Sequence, residues 1–329
     1  MEMEHRSSLL EFVILFFLMF TMFGCGITEN ENPIPGEVVN LSHFTVENFP
    51  RVDGSTSNRP MMVVLACEIF NLKYRTYESF DGTMQPYPEN DTSKPKEVTF
   101  VRNIYFNKTI LAYERLIRDS TDVILVANEP SQDHLRLAES LGVRMSVAPI
   151  ALDGLVFLLN STNPINSLTP EQLIGIFVGD IKNWKNVGGT DAVINPYLRN
   201  RNSGSQELME KLVMQGRTMI DAPDMMVSDM MGLVNRIASD PNGIGYTVYY
   251  YNAIMVPREG VKRISVNGVN PDAGTINSGA YKYTAPVYAV IRSNLNPTSN
   301  AYLFWKWLRT DAGQLAVAKS GYVAYRGKS

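Results

Sequence analysis

Arg199-Asn200-Arg201-Asn202-Ser203-Gly204-Ser205-Gln206, running into the apolar-periodic residues 207–214, is the stretch around which the rest of the chain is organised. Ser203 and Gln206 stand three apart, just ahead of Leu208, Met209, Leu212 and Val213. That is the spacing of a capping box opening an amphipathic helix. Gly204 and the serines leave first-turn N–H groups open, and two arginines lie just upstream. Free N–H donors, hydroxyls, a helix dipole and a guanidinium together make a site for an anion, most naturally a tetrahedral oxyanion. By itself the stretch also suits an ordinary capped surface helix, because many serines cap helices that bind nothing.

A second hydroxyl-rich helix start lies upstream, at Asp53-Gly54-Ser55-Thr56-Ser57-Asn58-Arg59-Pro60 ahead of the apolar residues 61–70. Gly54 permits a tight turn, Thr56 or Ser57 can cap the helix, and Pro60 suits its first turn. Thr109, ahead of the apolar stripe Ile110, Leu111, Tyr113, Leu116 and Ile117, is a good N-cap and a third such hydroxyl. One such start is commonplace, whereas two in one chain suggest the halves of a clamp.

Between these points strand and helix patterns alternate. Residues 122–127 (DVILVA) form a β-type run that ends at the turn Asn128-Glu129-Pro130-Ser131, and a helix pattern covers 132–141. Residues 145–149 and 155–160 read as two further strands. The alternation argues for an α/β fold with largely parallel sheets. Thr169-Pro170-Glu171-Gln172 is a capping box with a structural role, opening a helix over 171–177. Residues 81–98 are turn-rich and read as an exposed loop. Residues 225–231, rich in Met, read as core filling, and residues 300–308 (NAYLFWKWL) as an amphipathic helix.

At 329 residues the chain can bury two cores, and 45% hydrophobic with 19% charged residues is the composition of an ordinary globular protein. A formal net charge of −3 gives no reason to expect nucleic acid, so any bound anion must be held by a local site. Residues 12–23 are almost unbroken apolar residues, short of the ~20 needed to span a bilayer but suited to a signal-peptide core. The segment ends in Met22-Phe23-Gly24-Cys25, which resembles the lipobox of bacterial lipoproteins, where the Cys carries the lipid. A plain secretory peptide or an N-terminal membrane anchor are the other readings. Residues 25–40, polar with prolines, read as a flexible tether. The other cysteine, Cys67, lies in an apolar run and reads as a small buried hydrophobe.

Six separated motifs, in order, resemble the phosphate-binding lipoproteins of ABC phosphate importers, the PstS-like branch of the periplasmic-binding-protein superfamily. They are DGSTSNRP at 53–60, TDVILVANEPS at 121–131, PIALDGLVFLLN at 149–160, LTPEQLIGIFVGDIKNW at 168–184, RNRNSGSQ at 199–206 and NGIGY at 242–246. The resemblance implies two α/β lobes joined by two hinge strands, with the ligand in the cleft between them. It implies a signal peptide over 1–24, a tether over 25–40, one lobe from 41–152 plus 285–329, and the other from 153–284. The crossings would lie at 151–156 and 281–286.

The resemblance further implies that Thr56 and Ser57, with Thr109 beside them, donate from the first lobe, and that Arg199, Ser203, Gly204 and Ser205 donate from the second. Asn128 falls where the family places an aspartate that accepts the proton of a protonated phosphate. An asparagine can accept through its carbonyl or donate through its amide, so Asp53 or Glu129 are alternative acceptors. Arg201 stands where the family often has an acid. The implied partners are inorganic phosphate or a related oxyanion, an ABC permease and ATPase, and the membrane through a lipid on Cys25, with the protein a monomer on the extracytoplasmic face.

Three functions compete. The first is a solute receptor feeding an importer. The second is an oxyanion sensor or interaction lipoprotein without transport coupling, which the sequence hardly separates from the first. The third is a phosphoesterase, against which the sequence argues. The only histidines are His5, His43 and His134, and no HExxH, Cys/His ligand spacing or GxSxG is present. No metal or cofactor is expected.

Overall fold

The computed structural model describes residues 27–30, 32–200 and 203–327. The signal segment, Cys25 and Arg201 lie outside the described residues. Strands Val52–Gly54 (β1), Val123–Val126 (β2), Met145–Asn160 (β3), Gly243–Val248 (β4) and Thr284–Arg292 (β5) form a sheet in the order β1-β2-β5-β3-β4, with Asn195–Pro196 beyond β4. Helices Arg59–Phe70 (α1), Thr109–Ile117 (α2), Pro170–Val178 (α3), Gly204–Leu208 (α4), Met230–Ser239 (α5), Asn300–Trp307 (α6) and Asp311–Lys319 (α7) surround it. The protein is a mixed α/β fold of two lobes.

The lobes follow from one strand. Where the sequence predicts two strands, over 145–149 and 155–160, β3 runs unbroken through the crossing. Its intervening residues are themselves paired, from Ala151 against Val287 to Gly154 against Thr284. At Leu155 the partner changes, and β4 takes over from Leu155–Val248 to Leu159–Ile244. A single β3 therefore carries two half-sheets, one on each side of the exchange. The half-sheets are mixed rather than largely parallel. β1 with β2 and β4 with Asn195–Pro196 are parallel, whereas β5 with β2 and β3, and β4 with β3, are antiparallel. Two strands that cross between lobes in opposite directions must pair that way.

Burial explains the elements. All four residues of β2 are buried, as a strand covered on both faces requires. Pro60 through Cys67 of α1 are buried all round, because α7, the strand Met84–Pro88 and the helix Pro95–Arg102 pack around α1. Burial pushes the Cys67 thiol up to about 12, which leaves it an inert hydrophobe, as its sequence context suggests. The C-terminal helices rejoin the first lobe: Trp305 Nε1 donates to Ala289 O at 3.1 Å and Gln314 Nε2 to Ile150 O at 2.9 Å. The second lobe packs Phe157, Phe177, Trp184, Met209, Leu233 and Tyr246 into its core.

The capping box at the start of α3 forms as expected, with Gln172 N on Thr169 Oγ1 at 3.2 Å and Thr169 N on Gln172 Oε1 at 2.9 Å. Residues 81–98 are not a loop. Met84–Pro88 pairs with Tyr74–Glu78 as a hairpin, and a helix covers Pro95–Arg102. Glu89 N bonds Lys73 O, so Pro86 and Pro88 fall at pair positions that need no ladder N–H. Part of the expected tether lies along the fold: Ile27 pairs with Met145, Ile34 N donates to Arg309 O at 3.0 Å, and Glu37 pairs with Lys306 at 2.5 Å.

Candidate functional site

On the first lobe the site begins at the end of β1. Gly54 pairs with Leu125, and a Cβ there would meet Leu125 O at 2.1 Å, so only glycine brings β1 this close to β2. Asp53 is spent on holding the turn. Its carboxylate accepts from Gly54 N and Asn107 N at 2.7 Å and from Asn107 Nδ2 at 2.8 Å, and pairs with Arg115 at 3.0 Å. Asp53 is therefore not available as the ligand's acceptor.

Ser55 then joins three segments. Its N–H donates to Leu125 O at 2.9 Å, its hydroxyl accepts from Ala127 N at 3.1 Å, and that hydroxyl shares a hydrogen bond with Thr109 Oγ1 at 2.7 Å. Thr109 is thus brought to this corner, as the first residue of α2 rather than its N-cap, which is Lys108. Thr56 and Ser57 lie in a short turn, Thr56–Asn58, and neither caps α1. The N-cap is Asn58, whose side chain is fully buried and turned away from the helix. Its Oδ1 accepts from Tyr322 Oη at 2.8 Å, and its Nδ2 has no partner among the described residues. Thr56 is exposed, and Ser57 Oγ lies 3.5 Å from Asn58 Oδ1.

On the second lobe Leu198–Arg199 pairs with Met226–Val227. Arg199 is only 5% exposed. Its Nε donates to Val227 O at 3.1 Å and its Nη2 to Ser228 O at 3.3 Å, while Nη1 is buried without a partner among the described residues. Burial lowers the pKa of its guanidinium, opposed by Tyr246 and Asp229, and no carboxylate among the described residues pairs with it. A buried cation held by carbonyls, with one N–H group unmet, is balanced best by an anion.

Ser203 is the N-cap of α4, but the expected capping box does not form. Its hydroxyl bonds Ser205 Oγ at 2.9 Å instead of a backbone N–H. Gln206 is drawn the other way, to the hydroxyl of Tyr246 and to Glu210 at 2.8 Å. Tyr246, on β4, in turn accepts from Arg199 N at 3.1 Å. The first N–H groups of α4 are left uncapped by side chains, beside the exposed Gly204.

The two lobes meet at Asn128. Its Nδ2 donates to Glu207 Oε2 at 2.5 Å, and a Cβ on Gly204 would lie 3.7 Å from that nitrogen. Glu129 faces Lys211 at 3.2 Å, so its carboxylate is already paired with a cation. The site thus holds three linked sets: Ser55 with Thr109 and Ala127 N, Asn128 with Glu207 across the lobes, and Gln206 with Tyr246 and Arg199 N. Sequence reasoning missed Ser55, Asn58, Tyr246 and Glu207. Ser55 and Asn58 sit within a hydroxyl-rich motif and Tyr246 ends NGIGY, whereas nothing local marks Glu207.

Residues 95–311 match the family model described as a PBP superfamily domain. The chain is similar to phosphate-binding protein PstS of Staphylococcus epidermidis, 26% identical over 64% of this chain and 66% of the relative. It is also similar to phosphate-binding protein PstS of Borreliella burgdorferi, 28% identical over 54% of this chain and 64% of the relative. The matches therefore span just under two thirds of these relatives' lengths. Among solved structures, a putative phosphate ABC transporter substrate-binding protein with bound phosphate from Clostridium perfringens shares the fold. Its TM-score is 0.61 at 22% identity, over 84% of this chain and 100% of that one. The first-lobe turn with Thr56 and Ser57 precedes the residues that the family model matches.

Proposed function

We propose that this chain, which belongs to the PBP superfamily, captures inorganic phosphate between its lobes and delivers it to an ABC importer. The observation that carries the reading is Arg199: a buried guanidinium, fixed by two backbone carbonyls, whose third nitrogen has no partner among the described residues. Through its backbone N–H, Arg199 is joined to Gln206 of α4 by two hydrogen bonds that meet at the hydroxyl of Tyr246. Arg199 with Ser203, Gly204 and Ser205 grips the anion from one lobe. Thr56, Ser57, Thr109 and Asn128 meet it from the other. Each charged hydrogen bond contributes ~1.5–3 kcal/mol before ordering costs, so a few support micromolar binding at about −8 kcal/mol.

The two relatives are both phosphate-binding proteins, which supports phosphate as the anion. The change of strand partner at Leu155 supports lobes built from 41–152 plus 285–329 and from 153–284. The site binds and releases its ligand without turnover. Cys25 carries a lipid that holds the receptor, a monomer, on the extracytoplasmic face of the membrane. Phosphate that binds only the folded chain raises its melting temperature, by several degrees at about 100 times Kd. No rise with phosphate, in a chain that melts cooperatively, contradicts the reading.

A further inference from the structure

The lobes also meet beside the strand exchange, through the C-terminal segment of the first. After α7 the chain turns at Gly321, whose φ is 94°, and Val323–Ala324 then pairs with Leu152 and Ala151 of β3. A Cβ on Gly321 would lie 3.3 Å from Ile254 Cγ2 and 3.4 Å from Tyr250 Cε2. The second lobe, at Tyr250 and the helical turn Tyr251–Met255, therefore packs directly onto this segment, at a position whose backbone conformation favours glycine.

Tyr322, the next residue, is buried and faces both lobes. Its ring stacks on that of Tyr250, with centroids 3.8 Å apart and planes within 10° of parallel. Tyr250 is held at both ends: its N–H donates to Asp153 Oδ1 at 3.0 Å and its hydroxyl to Ser320 O at 3.1 Å. The hydroxyl of Tyr322 points into the first lobe. It donates to Asn58 Oδ1 at 2.8 Å, and Ser57 O lies 3.3 Å from the same oxygen. Burial raises the pKa of this phenol, so it keeps the proton it donates. With Oδ1 taken by Tyr322, the Asn58 side chain does not cap the helix whose N-cap position it occupies. The shape of the turn Thr56–Asn58 is thereby set by a residue 264 positions away, and that residue rests on the other lobe.

We infer that Tyr322 is a positioning residue for the anion: its hydroxyl fixes the turn Thr56–Asn58 and its ring rests on Tyr250, so the hold of that turn on the ligand depends on where the second lobe stands. The inference rests on the phosphate-receptor reading above, in which Thr56 and Ser57 meet the anion. Close-packed interiors are stiff and transmit displacement. A movement of the second lobe at Tyr250 is passed to Tyr322, and through the Tyr322–Asn58 bond to the turn. Tyr322 acts through the turn and not by contact with the anion.

The test is calorimetric titration with inorganic phosphate of the purified chain, of Tyr322→Phe, Asn58→Ala and the two combined, and of Tyr250→Leu and Tyr250→Phe. Each protein is also melted by circular dichroism. Tyr322→Phe removes one oxygen and keeps the stack, and it should bind phosphate about 5-fold more weakly than wild type while still melting cooperatively. Asn58→Ala should lose a similar factor. The double variant should bind within about 2-fold of the weaker single one, because both changes break the same bond. Tyr250→Leu, which removes the ring under Tyr322, should also weaken binding about 5-fold, and Tyr250→Phe, which keeps the ring, should lose much less. Wild-type affinity in Tyr322→Phe, or losses in the double variant that multiply, would overturn the inference and leave the receptor reading standing. Wild-type affinity in Tyr250→Leu would overturn the link to the second lobe. If Tyr250→Leu does not fold, Tyr322→Leu in its place removes the stack from the other side. If folded wild type binds no phosphate, both readings fall.

Discussion

The hydroxyl of Tyr246 accepts from the backbone N–H of Arg199 at 3.1 Å and donates to Gln206, so one phenol ties the arginine strand to the first turn of α4. Burial raises the pKa of this phenol, so it stays neutral and keeps its proton for Gln206. Tyr246→Phe leaves Arg199 N and Gln206 Oε1 without this partner. Unmet buried groups cost about 1–3 kcal/mol. The expected outcome is a lower urea midpoint and phosphate affinity several-fold weaker, measured on the same preparation.

Arg199→Lys keeps the charge and loses the fork. A lysine cannot donate at once to Val227 O, to Ser228 O and to an anion in the arginine's fixed geometry. Phosphate affinity should fall ~30–100-fold, about 2–3 kcal/mol, in a titration, with the secondary structure unchanged by circular dichroism.

Gly54→Ala places a methyl group 2.1 Å from Leu125 O and 2.8 Å from Phe106 Cε2. Neither β2 nor the buried Phe106 ring can yield without opening the core. The variant should lose ~3 kcal/mol or more of stability, or fail to fold. A wild-type urea midpoint would contradict the tight β1–β2 approach.

Asp153 lies at the strand exchange, fully buried, with its Oδ1 accepting from Gly154 N at 2.8 Å and Tyr250 N at 3.0 Å. Burial pushes its carboxyl up to about 7, despite these backbone donors. The unfolded chain titrates near ~4, so the folded state binds more protons between ~4 and ~7. Its contribution is fully present below the unfolded value and is lost as pH rises through about 7. Asp153→Asn cannot ionise. Its stability relative to wild type, from urea melts, should therefore be more favourable at pH 8 than at pH 5. An equal difference at both pH values would contradict the buried-carboxyl account.

What the sequence makes legible depends on distance along the chain. The Thr169–Gln172 box, three residues apart, is read correctly because both partners are local. The same spacing at Ser203–Gln206 misleads, because Tyr246, 40 residues away, claims Gln206. Thr56 and Ser57 are the expected caps of α1, whereas Asn58 holds that position under the hydroxyl of Tyr322, 264 residues on. Arg199 is recognisable by residue type and place, but the carbonyls of Val227 and Ser228 that aim it carry no sequence signal. Residues 151–154 look like a gap between strands because a lone Asp and Gly break the apolar run. Their pairing with β5 is a tertiary fact. The tie at Glu207 is invisible for the same reason, since Asn128 lies 79 residues before it.

The most direct test of phosphate capture at Arg199 is isothermal titration of the purified chain with inorganic phosphate at neutral pH, beside Arg199→Lys. Saturable one-site binding near micromolar Kd is expected for wild type, weakened at least ~30-fold in the variant. Absence of phosphate binding by the folded wild-type chain, or equal affinity in the two proteins, would contradict it.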